Sequence, residues 1–256
     1  MGRCKEINIK VIPASVANPF VRAHHYSGKV VSNSQLHFGA FLDGSLHGVL
    51  SYGPSMDKSK VIGLVKDTPW NGFLELNRMA FDDYLPRNSE SYCIGATLRM
   101  IKKQAPQVKW VVSFADGTQC GDGTIYRASN FILSGITPNK TLLQFPTGDK
   151  VAAMTLEANF NIPFVHDLCR RMGVEHKYRT RAEWIKLGAA FIQGYQLRYI
   201  YFLDPKWRKR LTVPELPFSK IDEMGAGMYK GQNITRESRH TECEAQKERK
   251  QDNGND

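Results

Sequence analysis

Two apolar runs that meet at one tight dipeptide constrain this chain more than any other feature. In "LHFGAFLDGSLHGVLSYGP" the runs flank Asp43-Gly44. That pair accepts the positive backbone angles of a two-residue turn, so the stretch reads as an antiparallel hairpin. Around it, strand-like and helix-like stretches alternate. "INIKVIP" reads as a strand and "SVANPFVRAHHY" as a short helix with Ser15 as N-cap and Pro19 near a start or a break. "FLELNRMAF" is a strand, "YCIGATLRMIKKQ" a helix and "VKWVVSFAD" a strand. "TIYRASNFILSG" reads as a helix ended by Gly135, "TLLQFP" as a strand and "LRYIYFLDP" as a closing strand rich in β-formers. This order specifies an α/β protein with a mixed central sheet flanked by helices and a helical insertion before the last strand.

With 256 residues, 41% of them hydrophobic, the chain can bury one large core, or one core plus a small addition. No run of about 18 apolar residues exists, and "MGRCKEINIKVIP" lacks the apolar centre of a secretory signal. Neither membrane insertion nor export is indicated, and the expected location is the cytoplasm. Cys4, Cys93, Cys120, Cys169 and Cys243 are odd in number and form no C-x-x-C pair, so they read as free thiols. The expected organisation is a main domain over 1–212, with a basic helical insertion at 163–195, then an extension over 213–235. Residues 236–256 carry five Lys/Arg and six Asp/Glu and almost nothing that could enter a core, which predicts a disordered tail.

The formal charge of +10 is concentrated. Residues 163 to 212 hold eleven Lys/Arg against Asp167, Glu175, Glu183 and Asp204. With Tyr178, Trp184 and Trp207 close by, this is the composition of a nucleic-acid face, and a basic surface serving only solubility is the plain alternative. Arg127, Arg170, Arg171, Arg179, Arg181, Lys206 and Arg208 are the candidate phosphate contacts.

One further stretch, "VVSFADGTQCGDGTIYRASNF", ends an apolar strand in Ser113 and Asp116, passes through a glycine-rich turn and opens a helix carrying Tyr126. In an open α/β sheet such positions converge on the ligand crevice. Alternatively, Asp116 begins a turn with Gly117 and Tyr126 packs. Tyr52, at the end of the hairpin, and His25, in "HHYSG", are further candidates for the crevice. In "ELNR", strand alternation sends Glu75 and Asn77 to one face and Leu76 and Arg78 to the other.

Taken together, "LELNRMAF", "PRNSESYCIGATLRMIKK", "SFADG", "IYRASNF" and "RYIYFLD" resemble the Mom family of phage DNA-modification proteins, over about residues 20 to 210. The resemblance implies a fold like that of the GNAT N-acetyltransferases, making 1–212 a catalytic domain. It also implies conversion of adenine in DNA to an N6-carbamoylmethyl form that blocks restriction endonucleases. On that reading Asp116 is the base or amine anchor, Tyr126 the general acid and Ser113 the group that orients either. Double-stranded DNA is the implied partner. The insertion is open as a lid, a DNA clamp or a homodimer contact.

The fold further implies acetyl-coenzyme A or a related CoA thioester, with its pyrophosphate at the start of the helix in "RNSESYCIGA". Asn88, Ser89 and Ser91 would cap and donate there, Gly95 would permit close approach, Asn77 would meet an amide or a base, and Arg78 would reach phosphate. The loop departs from the usual acetyltransferase pattern, because Glu90 and Tyr92 stand where glycine or alanine is customary. A plain capped helix with Glu90 as capping-box partner is the alternative. Iron is a further implied requirement. The sequence shows no ligand motif for it, and His25, His37, His47 and Asp116 would meet only if the fold brings them together. Two other classes fit the residues: an N-acetyltransferase acting on a protein or small-molecule amine, and a non-catalytic DNA-binding protein.

Overall fold

The computed structural model describes residues 3–229 and 232–233. Its main unit, residues 3–136 and 197–233 among those described, is built on a seven-stranded sheet. The elements run β1 (Asn8–Ile12), α1 (Ala14–His24), β2 (Leu36–Leu42), β3 (Ser45–Gly53), a one-turn α2 (Lys58–Val61), β4 (Phe73–Phe81), α3 (Ser89–Gln104) and β5 (Trp110–Asp116). A short α4 (Thr124–Ala128) and β6 (Ile132–Pro138) follow. Residues 137–196 form a second compact unit. It holds β7 (Leu142–Gln144), β8 (Lys150–Ala152), α5 (Ala153–Ala158), α6 (Pro163–Arg171), α7 (Arg181–Lys186) and β9 (Ala190–Phe191). The chain then re-enters the main sheet as β10 (Tyr195–Phe202), turns through α8 (Ser219–Glu223), and closes with the pair β11 (Met228–Tyr229) and β12 (Gln232–Asn233). The sheet order is β1-β2-β3-β4-β5-β10-β6. Strands β1 to β4 pair antiparallel, and β4 with β5 parallel, so the sheet is mixed and the expected α/β class is the one found.

The hairpin turns where the sequence says it must. Asp43 and Gly44 take φ of 51° and 82°, the two left-handed residues of a tight turn between β2 and β3. Beneath β4 and β5, Phe73 and Trp110 stack with centroids 4.4 Å apart, and the Trp110 indole N–H donates to Thr68 Oγ1 at 3.0 Å. Both rings are buried, so the partner for the indole is what makes that burial tolerable.

Three local expectations change. Helix α1 starts at Ala14 after Pro13, not at Ser15, and contains Pro19. Burial of Ala17 and Val21 against the sheet offsets the hydrogen bond that Pro19 cannot make. Helix α4 has five residues rather than twelve. Asn130 takes φ 63° and turns the chain, Phe131 enters the core, and Ile132 and Leu133 follow it there as the start of β6. The "TLLQFP" strand lies in a separate three-stranded sheet, β8-β7-β9. That second unit has its own core of Leu143, Phe145, Leu156, Val165, Leu168 and Trp184. The tail expected over 236–256 lies outside the described residues.

Two hairpin glycines separate backbone strain from crowding. A Cβ on Gly44 would meet nothing within 4 Å, so Gly44→Ala should cost only the left-handed strain, about 1 kcal/mol. A Cβ on Gly48 would sit 2.3 Å from the Phe81 ring, so Gly48→Ala should cost more. Urea unfolding midpoints of the two variants against the wild type measure both.

Candidate active site

The site is made by two parallel strands that stop pairing. Strands β4 and β5 are in register through Phe73–Trp110, Leu74–Val111 and Glu75–Val112. Beyond that point the Ser113 hydroxyl donates to the Leu76 carbonyl at 3.2 Å, taking the place of a ladder bond. On its other edge β4 carries a bulge: Tyr52 faces Leu76 and Ser51 faces Arg78, so Asn77 is the extra residue. The bulge breaks the strict alternation expected for "ELNR". Leu76, Asn77, Arg78 and Met79 in succession now line one cavity of about 290 Å³. Its opposite wall comes from Phe114 to Asp116 and the turn Cys120–Tyr126, and its rim from His25 and Tyr26.

Asp116 is held from three sides. Its Oδ1 accepts the Thr118 backbone N–H at 3.0 Å, and its Oδ2 accepts the Tyr26 hydroxyl at 3.2 Å and the Gln119 amide at 3.1 Å. Tyr126 is buried between Phe131 and Tyr199. Burial pushes its phenol up to about 12, against the opposing effect of a hydrogen bond with Ser113. Tyr126 therefore keeps its proton throughout the neutral range.

His25 behaves in the opposite sense. Burial, helped by the charge of Arg78, pushes its imidazole down to about 4, so it is neutral at pH 7. The Ser27 backbone N–H donates to Nδ1 at 3.1 Å, which leaves the single ring proton on Nε2. Tyr26 is raised by burial and by Asp116, and its ring leans on His25 with centroids 4.3 Å apart. Arg78 donates from Nε to the Lys29 carbonyl and from a terminal nitrogen to the Asn77 carbonyl, both at 2.9 Å. Asn77 accepts the Ser34 hydroxyl at 3.2 Å.

Asp116 and Tyr126 thus line the cavity with His25, Asn77 and Arg78, Ser113 lies buried behind it, bonded to Tyr126, and other expected residues do not reach it. Tyr52 is fully buried, with its hydroxyl 2.7 Å from Thr97 Oγ1 on α3, and does not line the cavity. Asn88, Ser89, Ser91 and Gly95 stand at the start of α3, away from the cavity lining. The Ser89 and Ser91 hydroxyls turn back to the carbonyls of Pro86 and Asn88. Asn88 itself is left-handed at φ 70°, and neither it nor Glu90 makes a capping bond. The donors this end of α3 can offer an anion are therefore the backbone amides of its first turn.

Glu75 was not singled out by the sequence, yet it is half-buried at the last paired position of β4. Its carboxyl accepts from Ser55 and Asn77, and burial raises its pKa. Asp122 was missed as well. It is buried at the rim of the cavity, with Oδ1 accepting the Thr124 hydroxyl at 2.9 Å and lying 3.6 Å from Arg127. A lone acidic residue in a glycine-rich turn gives no sign in sequence that the fold will enclose it.

The histidines do not assemble. His37 is bonded to Ser51 at 2.8 Å and His47 to Asp82 at 2.8 Å, each within its own strand neighbourhood. Among the described residues no three His, Cys, Asp or Glu side chains form a group that could hold a metal ion. The donor set present at the cavity does not fit iron.

The expected phosphate contacts divide. In the second unit Arg170 and Arg171 bind Asp167, Arg171 also reaches Asp149, and Arg181 pairs with Glu157. Arg179 is 6% exposed, its guanidinium donating to the Glu175 carbonyl at 2.7 Å and lying 5.1 Å from the Trp184 ring. It builds that unit's core rather than an open basic face. In the main unit Arg127 donates to Thr124 at 2.8 Å, Arg208 pairs with Glu215, and Lys206 is exposed.

A largely apolar cavity at the carboxyl end of split parallel strands, with a carboxyl group, a protonated phenol and a neutral imidazole placed in its lining, is the arrangement of a group-transfer enzyme. The chain matches the Mom protein family over residues 6–220 and belongs to it. It is 36% identical over 210 residues, 82% of this chain and 80% of the relative, to the methylcarbamoylase Mom of Escherichia phage Mu. Solved structures of similar outline include a spermidine/spermine N-acetyltransferase from Vibrio cholerae, at 7% identity, a TM-score of 0.43, and coverage of 81% of this chain and 99% of that one. Another is the ribosomal-protein-S18-alanine N-acetyltransferase of Escherichia coli, at 8% identity, a TM-score of 0.41, and coverage of 77% and 94%. Among the described residues no helix is long and apolar enough to cross a membrane.

The state of His25 is directly measurable. Its folded pKa lies below the ordinary value, so its contribution to stability is complete above about pH 6.5 and is lost as pH falls towards 4. Proton NMR of the ring should give a midpoint near 4, and a value near 6.5 would contradict the burial.

Proposed function

We propose that this member of the Mom family modifies the N6 amine of adenine in DNA by a carbamoylmethyl-type addition, protecting that DNA from restriction endonucleases in the host cytoplasm. The cavity between the parted ends of β4 and β5 is the place of reaction. One observation carries this assignment: the Asp116 carboxyl group and the Tyr126 phenol, which burial keeps protonated, line the same cavity.

The N6 amine is a weak nucleophile because its lone pair is delocalised into the ring, and its proton must leave as the new bond forms. Asp116, fixed by Thr118, Tyr26 and Gln119, accepts that proton or orients the amine. With the Ser113 proton committed to the Leu76 carbonyl, Ser113 Oγ accepts the Tyr126 O–H in the resting site and sets its direction, and Tyr126 passes that proton to the leaving group as it departs. His25 stays uncharged and presents Nε2–H as a fixed donor. An adenine inside a duplex cannot place its amine in such a cavity, so the nucleotide is extruded, and the half-exposed Tyr26 at the rim offers the first stacking surface.

A CoA thioester fits part of this frame. The unpaired edge of β4 from Leu76 to Met79, with the Asn77 amide, suits its amide-bearing arm, and the first-turn amides of α3 suit its pyrophosphate. When bound, it would supply an activated acyl carbon; a carbamoylmethyl group joins N6 through a CH2 carbon, so acyl transfer from the thioester alone does not form it.

Plasmid DNA from cells expressing the wild-type protein should resist endonucleases whose sites contain adenine. Tyr126→Phe keeps the packing and removes the proton, and should lower modification by about 10²- to 10⁴-fold, enough to restore cutting. Ser113→Ala should fall between the two. Full protection by a stably folded Tyr126→Phe protein would remove the general-acid role.

A further inference from the structure

The end of the main sheet opposite the cavity carries a basic and aromatic surface that the reaction does not use. Three segments meet there, residues 54–72, 102–109 and 204–215. The Lys66 N–H donates to the Arg210 carbonyl at 2.8 Å, the Lys109 N–H to Gly72 at 2.7 Å, and the Asp204 N–H to Lys109 at 3.1 Å. These segments contain ten Lys/Arg against four Asp/Glu, a net +6 in a chain of formal charge +10. Lys102, Lys109 and Pro205 also line a shallow groove of about 230 Å³ on this end.

Trp70 gives the surface its second character. Of the four tryptophans, Trp110 and Trp184 are buried and Trp207 is half-buried, whereas Trp70 is 63% exposed. The Lys58 ammonium lies over its ring, 4.2 Å from the centroid, and Arg210 lies 4.4 Å from the Trp207 ring. A flat indole held among cations and left open to water suits a polyanion that also carries flat apolar groups. A phosphodiester strand is such a ligand.

We infer that this surface docks the DNA flanking the target adenine: lysines of the 54–72 and 204–215 segments neutralise phosphates, and Trp70 lies against the sugar and base between them. The inference rests on the reading of DNA as substrate. Strand β5 runs from Trp110 beside this surface to Asp116 at the cavity, so its seven residues separate the two by about 20 Å. That distance is about six stacked base pairs at 3.4 Å each, short enough for one DNA site to touch both.

The test is fluorescence-anisotropy binding of a 30-base-pair duplex to the full-length protein at several salt concentrations. A Lys58→Ala/Lys66→Ala/Lys209→Ala variant should bind about tenfold or more weakly at low salt. Its log K against log[salt] slope should flatten by about 2 to 3, since each lost phosphate contact removes about 0.9. Trp70→Ala should weaken binding by about tenfold, and Trp70→Phe should recover most of it. Lys140→Ala/Lys150→Ala/Lys186→Ala in the second unit removes the same charge and should leave the slope unchanged. Equal losses in the two triple variants would reduce the effect to net charge and overturn the surface. Unchanged binding in the first triple variant would overturn it while leaving the modification reading intact, because cellular protection is scored separately. Preference for an RNA hairpin over the duplex by tenfold or more would overturn DNA as the occupant.

Discussion

The structure depends on the parting of two parallel strands. Up to Glu75 and Val112, β4 and β5 share a ladder; one residue later Ser113 answers the Leu76 carbonyl with its side chain. That substitution matters because a buried carbonyl left without a donor costs about 1 to 3 kcal/mol. By meeting it locally, Ser113 lets the strands diverge without an orphaned group, and the same hydroxyl is bonded to Tyr126. One side chain therefore helps open the cavity and orients its buried phenol. The Asn77 bulge completes the opening by turning consecutive residues of β4 towards the gap.

Within the cavity, burial sorts the titratable groups by chemistry. The same loss of solvent raises a phenol and lowers an imidazole, so Tyr126 holds its proton and His25 remains uncharged. The Asp116 carboxylate, by contrast, is surrounded by donors from the Thr118 backbone, Tyr26 and Gln119. One small space thus places a phenol that keeps its proton beside a carboxyl group held by three donors.

Much of this was legible in the sequence where a local rule governs. The Asp43-Gly44 turn follows from backbone angles that few residues accept, and the bounds of β4 follow from its apolar run. Ser113, Asp116 and Tyr126 were found because strand ends in α/β sheets point at ligands. What escaped depends on contacts between distant segments. Nothing local distinguishes the bulge at Asn77 from regular alternation, or says that Glu75 will be enclosed with Ser55. Arg179 reads as a surface cation until Trp184 and the Glu175 carbonyl enclose it. The helical reading of "TIYRASNFILSG" failed because tertiary burial of Phe131 and Leu133 in the sheet outweighs helix propensity once Asn130 turns the chain. The arginines of 170–181 are paired or buried for the same reason, while the segments around Trp70 keep a net positive charge beyond the pairs Lys60–Asp57, Arg208–Glu215 and Arg210–Asp67.

The central claim, that the cavity modifies adenine, is tested most directly by mass spectrometry of nucleosides from the DNA of cells expressing the intact protein, beside an Asp116→Asn control. A heavier deoxyadenosine, present with the wild type and lost in a folded Asp116→Asn protein, is the predicted result, and its mass identifies the added group. Unmodified deoxyadenosine in both samples, or the same heavy nucleoside in both, would contradict the account.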